Sequence, residues 1–253
     1  MLEKSLFKKK QVIPYITSGY PSLKETSDLI KFFINSGIEI LELGIPFSDP
    51  VADGPTIQFS SQVALKNGTN IEKILELIDK NSFAKSINIV FMTYLNPVVI
   101  YGIEKFFAEI SLSGIKGIIF PDLIPEEKNI IFPLTKKYKI DTIFLLSPVT
   151  EKIRREKIYN VSTGFVYLVT TLGTTGARKT LPKEFYNFVK TVRKETIKPL
   201  CAGFGISKKE QVVPIIDYID GIIIGSAIID IIKNSGVKDR YKKLTNFISQ
   251  FKF

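Results

Sequence analysis

Eight short runs rich in β-branched and aliphatic residues recur along the chain, at 12–17, 38–43, 87–92, 117–120, 142–146, 165–169, 199–202 and 221–224. They are apolar throughout instead of alternating, the pattern of parallel strands covered on both faces. Between them the apolar residues fall at helical spacing, as in Leu29, Ile30, Phe33 and Ile34, or Phe185, Phe188, Val189 and Val192. Ser22, Thr150 and Ser207 stand where helix N-caps belong, and Gly37 and Gly114 where helices should close before the next strand. Eight strand–helix units in 253 residues, with no break in composition, predict an α/β fold: one (β/α)8 barrel domain, a TIM barrel, spanning 1–253. A doubly wound sheet is the competing architecture. Its G-x-G-x-x-G turn is missing after the first run, where Thr17-Ser18-Gly19-Tyr20-Pro21 stands.

The chain contains no histidine, which removes a Ser-His-Asp triad, a Cys-His pair and His-ligated zinc together. Proton transfer must fall to Asp, Glu, Tyr, Lys or water. Cys201 is alone, so no internal disulfide forms and a reducing compartment is the expectation. The net charge of +10 suits either a polyanionic partner or a solvated surface. The lysines are interspersed with acids and the densest run is Lys8-Lys9-Lys10, which favours the solvated surface and no nucleic-acid partner. No stretch approaches the roughly 18 apolar residues of a membrane span. Glu3, Lys4 and Lys8 to Lys10 occupy the region where a signal peptide needs an apolar block. The expected location is cytoplasmic, with a plastid stroma as the alternative.

Two connections, 45–70 and 170–182, are longer than such units need, and both follow the carboxyl ends of strands, where barrel enzymes build active sites. Glu42 interrupts an apolar strand between Leu41 and Leu43. An unpaired carboxyl there raises its pKa and suits acid–base work, whereas one paired with a lysine is merely structural. Asp49 and Asp53 lie in the proline-stiffened loop Phe47-Ser48-Asp49-Pro50-Val51-Ala52-Asp53-Gly54-Pro55, either as site carboxylates or as caps for a helix near Thr56. Gly203-Phe204-Gly205-Ile206-Ser207 and Gly225-Ser226-Ala227 follow the seventh and eighth strands, where barrels commonly cradle phosphate on backbone N–H groups. Gly203, Gly205, Gly225 and Ser226 are therefore candidate phosphate ligands, although G-x-G by itself is more often a turn.

The fourteen residues from Leu41 to Gly54, Leu41-Glu42-Leu43-Gly44-Ile45-Pro46-Phe47-Ser48-Asp49-Pro50-Val51-Ala52-Asp53-Gly54, closely resemble the signature of the tryptophan synthase alpha chain family. The likeness extends over essentially the whole chain. It includes Val12-Ile13-Pro14-Tyr15, Met92-Thr93-Tyr94-Leu95-Asn96-Pro97, Pro121-Asp122-Leu123, Tyr167, Gly173-Thr174-Thr175-Gly176 and Ile224-Gly225-Ser226. The resemblance implies a lyase of tryptophan biosynthesis, cleaving indole-3-glycerol phosphate by retro-aldol chemistry to indole and glyceraldehyde 3-phosphate. It implies Glu42 as the acid and base, Asp53 as acceptor of the indole N–H, and Tyr167 as a third catalytic residue. Tyr15, Tyr94, Thr175 and Phe204 would bind substrate, although Tyr15, Tyr94, Tyr167 and Phe204 could instead simply pack the core, and Gly176 would join the phosphate site. Thr175 is expected to position Asp53 when the 170–182 loop closes.

The same resemblance implies a beta-chain partner in an alpha2beta2 heterotetramer, contacted through Pro46, Asp49, Pro50, Asn96 and Asp122. Pyridoxal phosphate would belong to that partner, leaving this chain with no cofactor and no metal. Thr174 and Ile124 depart from the family's usual valine and second proline. A Schiff-base aldolase is poorly supplied, because Lys116 and Lys198 lie at the amino ends of their strands. Two other readings stay open on the residues: a different phosphosugar barrel, such as an isomerase or epimerase, and a non-catalytic barrel that binds a partner or RNA.

Overall fold

A computed structural model of the chain describes residues 1–169, 181–203 and 205–251. Eight parallel strands pair in sequence order and close when the last meets the first. The elements run β1 (Gln11–Thr17), α1 (Leu23–Asn35), β2 (Ile40–Gly44), α2 (Pro55–Lys66), α3 (Ile71–Lys80) and β3 (Asn88–Met92). They continue through α4 (Leu95–Tyr101), α5 (Ile103–Leu112), β4 (Gly117–Ile119), α6 (Phe132–Tyr138), β5 (Asp141–Leu146), α7 (Lys152–Val161) and β6 (Val166–Val169). The last are α8 (Lys183–Glu195), β7 (Leu200–Gly203), β8 (Gly221–Ile224), α9 (Ser226–Lys233) and α10 (Val237–Ser249). Parallel register of Gln11 with Gly221 and Ile13 with Ile223 seals the ring.

Every residue of β2, β4, β6, β7 and β8 is buried, because side chains on one face fill the barrel while those on the other meet the helices. The helices supply the matching apolar stripe. On α1 it is Leu29, Ile30 and Phe33; on α8 it is Phe185, Phe188, Val189 and Val192. Ser22 caps α1 by accepting from the Glu25 N–H, and Gly37, at φ 77°, turns the chain back into β2.

Thr150 and Ser207 do not cap helices. The Thr150 hydroxyl accepts from the Ser147 N–H instead, leaving Glu151 at the start of α7, while the Gln211 side chain accepts from the N–H groups of both Ser207 and Lys208. The alternation of strand and helix also lapses between β7 and β8, where among the described residues only the 3-10 turns Lys209–Gln211 and Val213–Tyr218 occur. Pro214 cannot donate to an α-helical ladder and its ring crowds the carbonyl four residues back. The 45–70 connection holds a helix of its own, α2, started by Pro55 at its first position.

Lys116 and Lys198 sit ahead of β4 and β7, at the amino-end rim, and Lys198 Nζ donates to the Ser162 carbonyl at 2.6 Å. Among the described residues no helix is long and apolar enough to cross a membrane.

Candidate active site

Tyr15 and Glu42 are register partners on β1 and β2, so both side chains point into the barrel. At its carboxyl mouth, Tyr15, Glu42, Asp53, Met92, Tyr167, Gly205, Ile223, Gly225 and Ser226 line a single cavity, joined by Ile57, Ile206, Ser207 and Ala227. Two acidic side chains and the glycine-rich ends of β7 and β8 thus share one space. The sequence singled out neither Met92 nor Ile57 nor Ile223 as lining. Strand register brings Met92 beside Gly44 and Ile223 beside Ile13, while Ile57 comes from α2.

Glu42 is 1% exposed and, among the described residues, neither carboxyl oxygen has a hydrogen-bond partner. No lysine pairs with it among the described residues, so the structural-ion-pair alternative is not realised. Burial first, and then the charge of Asp53, push its pKa to about 8. Asp53 is likewise raised to about 7 by burial, with the Tyr94 hydroxyl bond holding it down. The N-cap position of α2 is held by Gly54 and not by Asp53. The Ala52 N–H donates to Tyr94 Oη at 3.0 Å while that hydroxyl donates to Asp53, and the Tyr94 ring packs 5.3 Å from Phe47. Tyr94 therefore stands behind Asp53 and steadies it instead of lining the cavity.

Tyr15 and Tyr167 are fully buried phenols whose pKa values burial drives well above the ordinary range. Each occupies room that neighbouring glycines leave. A Cβ on Gly44 would collide with the Tyr15 hydroxyl and ring, one on Gly225 would press the other side of the same ring at 3.2 Å, and one on Gly203 would strike the Tyr167 ring. Gly203 thus serves Tyr167, and it is absent from the cavity wall that Gly205, Gly225 and Ser226 help form. Gly205 adopts φ 90°, a left-handed backbone that favours glycine, and Ser226 begins α9, whose amino end favours negative charge. Thr175, Gly176 and Phe204 lie outside the described residues, as does most of the 170–182 loop.

Around the mouth, Asp49, Asn96 and Asp122 are exposed, Pro50 is half-buried and Pro46 is buried. Asp122 also accepts from the Leu95 N–H at 3.0 Å, which anchors the start of α4. Among the described residues no three His, Cys, Asp or Glu side chains gather as a metal-ligand set.

The family model for the tryptophan synthase alpha chain matches residues 3–252. This chain belongs to that family. The tryptophan synthase alpha chain of Clostridium kluyveri is 44% identical over 245 residues, covering 96% of this chain and 93% of the relative. That of Carboxydothermus hydrogenoformans is 42% identical, covering 92% and 87%. Among solved structures, a chain of the tryptophan synthase a2b2 complex from the hyperthermophile Pyrococcus furiosus superposes with a TM-score of 0.87 at 36% identity, covering 95% and 96%. A chain of Mycobacterium tuberculosis tryptophan synthase gives 0.87 at 30% identity, covering 98% and 95%. As an alpha-chain family member the protein is a carbon–carbon lyase of tryptophan biosynthesis.

Proposed function

We propose that this single barrel domain cleaves indole-3-glycerol phosphate to indole and glyceraldehyde 3-phosphate with the two carboxyl groups of its mouth. The observation that carries the reading is the juxtaposition of an unpartnered, proton-holding Glu42 with Asp53 in one cavity that also reaches Gly225 and Ser226. Glu42, with its pKa near neutrality, delivers a proton to the indole ring carbon that bears the side chain and takes one from the glycerol hydroxyl. That transfer breaks the carbon–carbon bond, leaving an aldehyde and neutral indole. Asp53, steadied by Tyr94, accepts from the indole N–H and stabilises positive charge as it develops on the ring. Tyr15 and Tyr167 enclose the ring; Gly176, Gly205, Gly225 and Ser226 hold the phosphate on N–H groups and the amino end of α9. Thr175 and Phe204 complete the substrate contacts.

The chain itself needs no cofactor or metal in this scheme. Its partner is a beta chain carrying pyridoxal phosphate, in an alpha2beta2 assembly docked through the mouth residues Asp49, Pro50, Asn96 and Asp122, with Pro46 shaping the loop beneath them. The setting is the cytoplasm. A different phosphosugar barrel would share the phosphate grip but would release no indole. The chain lacks tryptophan, so the protein adds no indole signal of its own, and indole released from indole-3-glycerol phosphate can be measured after chromatographic separation from the substrate. Release that rises on adding a beta chain is expected; no release with or without one would overturn the assignment.

A further inference from the structure

Helices α2 and α9 both start at the cavity mouth, pack side by side and run away from it in the same direction. Two contacts, three residues apart on each helix, stitch them together. Thr56 Oγ1 donates to Asp230 Oδ1 at 3.2 Å, and Lys233 Nζ stands 3.9 Å over the Phe59 ring. Residues three apart share a helix face, so the pair of contacts limits how far one helix slides along the other. On its inner side α2 meets the barrel wall, where Ser60 Oγ lies 2.6 Å from Thr17 Oγ1 of β1.

Each helix carries site residues at its start. Asp53 lies two residues ahead of Pro55, the first residue of α2, and Gln58 Nε2 donates to the Asp53 carbonyl at 2.8 Å. The backbone that bears this carboxyl therefore moves with the helix. Ser226 is the first residue of α9 and Gly225 its cap. Asp53, Gly225 and Ser226 line one cavity, and neither Thr56 nor Asp230 does. A substrate with its ring at Asp53 and its phosphate at the start of α9 must span the gap between the two helix starts. The bond from Thr56 to Asp230 joins the same two helices behind the cavity wall.

We propose that Thr56 and Asp230 are positioning residues whose hydrogen bond sets the separation between Asp53 and the phosphate seat, so that a ligand reaching both is held in register for cleavage. The proposal rests on the reading of the two ends of the cavity as ring and phosphate sites, and adds two residues that touch no substrate. A reacting ring displaced slightly from the groups that act on it loses rate steeply. A ligand that occupies one end only is indifferent to the gap. The loss on breaking the bond is therefore selective for the bridging substrate.

The test compares indole-3-glycerol phosphate, which reaches both ends, with glycerol 3-phosphate, which reaches one, in the full-length protein with a beta chain present. Thr56→Val keeps the shape of the side chain and removes the donor. Its kcat/KM for indole release should fall by about three- to tenfold, while the glycerol 3-phosphate dissociation constant, from calorimetry, stays within about twofold of wild type. Asp230→Ala breaks the bond from the other helix and should give the same selective fall. Combining the two should add little, because either alone already removes the contact. Thr56→Ser keeps a hydroxyl and Asp230→Asn keeps an acceptor oxygen without the charge, so both should retain the wild-type rate. Wild-type rates in both Thr56→Val and Asp230→Ala, losses that multiply in the double variant, or an equal weakening of glycerol 3-phosphate would overturn the proposal. A wild type that releases no indole would instead strike down the lyase reading, and the proposal with it.

Discussion

Replacing Glu42 with glutamine should make the protein more stable at alkaline pH while abolishing turnover. The folded-state pKa of Glu42 is raised from 4.5 to about 8, so across that window the folded protein holds a proton that the unfolded chain has lost. The favourable contribution is complete below the unfolded value and disappears as pH rises through the folded one. Between about pH 5 and pH 8, linkage makes this loss roughly 3–4 kcal/mol, a large share of a typical domain stability. The substituted glutamine does not titrate, and its buried amide adds an offset that does not vary with pH. Asp53 carries its own raised pKa in both proteins, caused by its own burial, and largely cancels in the difference. Urea unfolding followed by circular dichroism at a series of pH values gives the comparison directly. The stability of Glu42→Gln relative to wild type should grow by about 3–4 kcal/mol from pH 5 to pH 8, while indole release falls by at least about a hundredfold. A difference that is flat with pH would show that Glu42 titrates normally and would refute the reasoning.

Tyr94→Phe removes the hydroxyl that donates to Asp53, so the Asp53 pKa should rise further above about 7. The corresponding limb of the kcat/KM pH profile should then move to higher pH by up to about one unit; no movement would place that limb on another group. Gly203→Ala drives a Cβ into the Tyr167 ring and should destabilise the fold by about 1–3 kcal/mol in urea titration, with little loss of affinity for a glycerol-phosphate analogue in the protein that remains folded. A selective loss of phosphate affinity at unchanged stability would return Gly203 to the phosphate site.

The barrel was legible in the sequence because periodicity is a local property. A strand buried on both faces must be apolar throughout, a covering helix must repeat near 3.6 residues, and both patterns can be counted without knowing what touches what. For the same reason Glu42 was conspicuous, as a carboxylate inside β2, and the 41–54 motif assigned its likeness before any geometry was known. The lapse between β7 and β8 was the exception, where Pro214 broke a pattern that spacing alone suggested. What tertiary structure alone decided are the partners. Glu42 lacks a donor, Tyr94 serves Asp53 across a separation of 41 residues, Gly203 makes room for Tyr167, and Thr17 meets Ser60 43 residues away. A hydrogen bond or a close contact depends on which distant segments the closed ring brings within a few ångströms. Chain order sets the residue types, and barrel closure sets which of them meet.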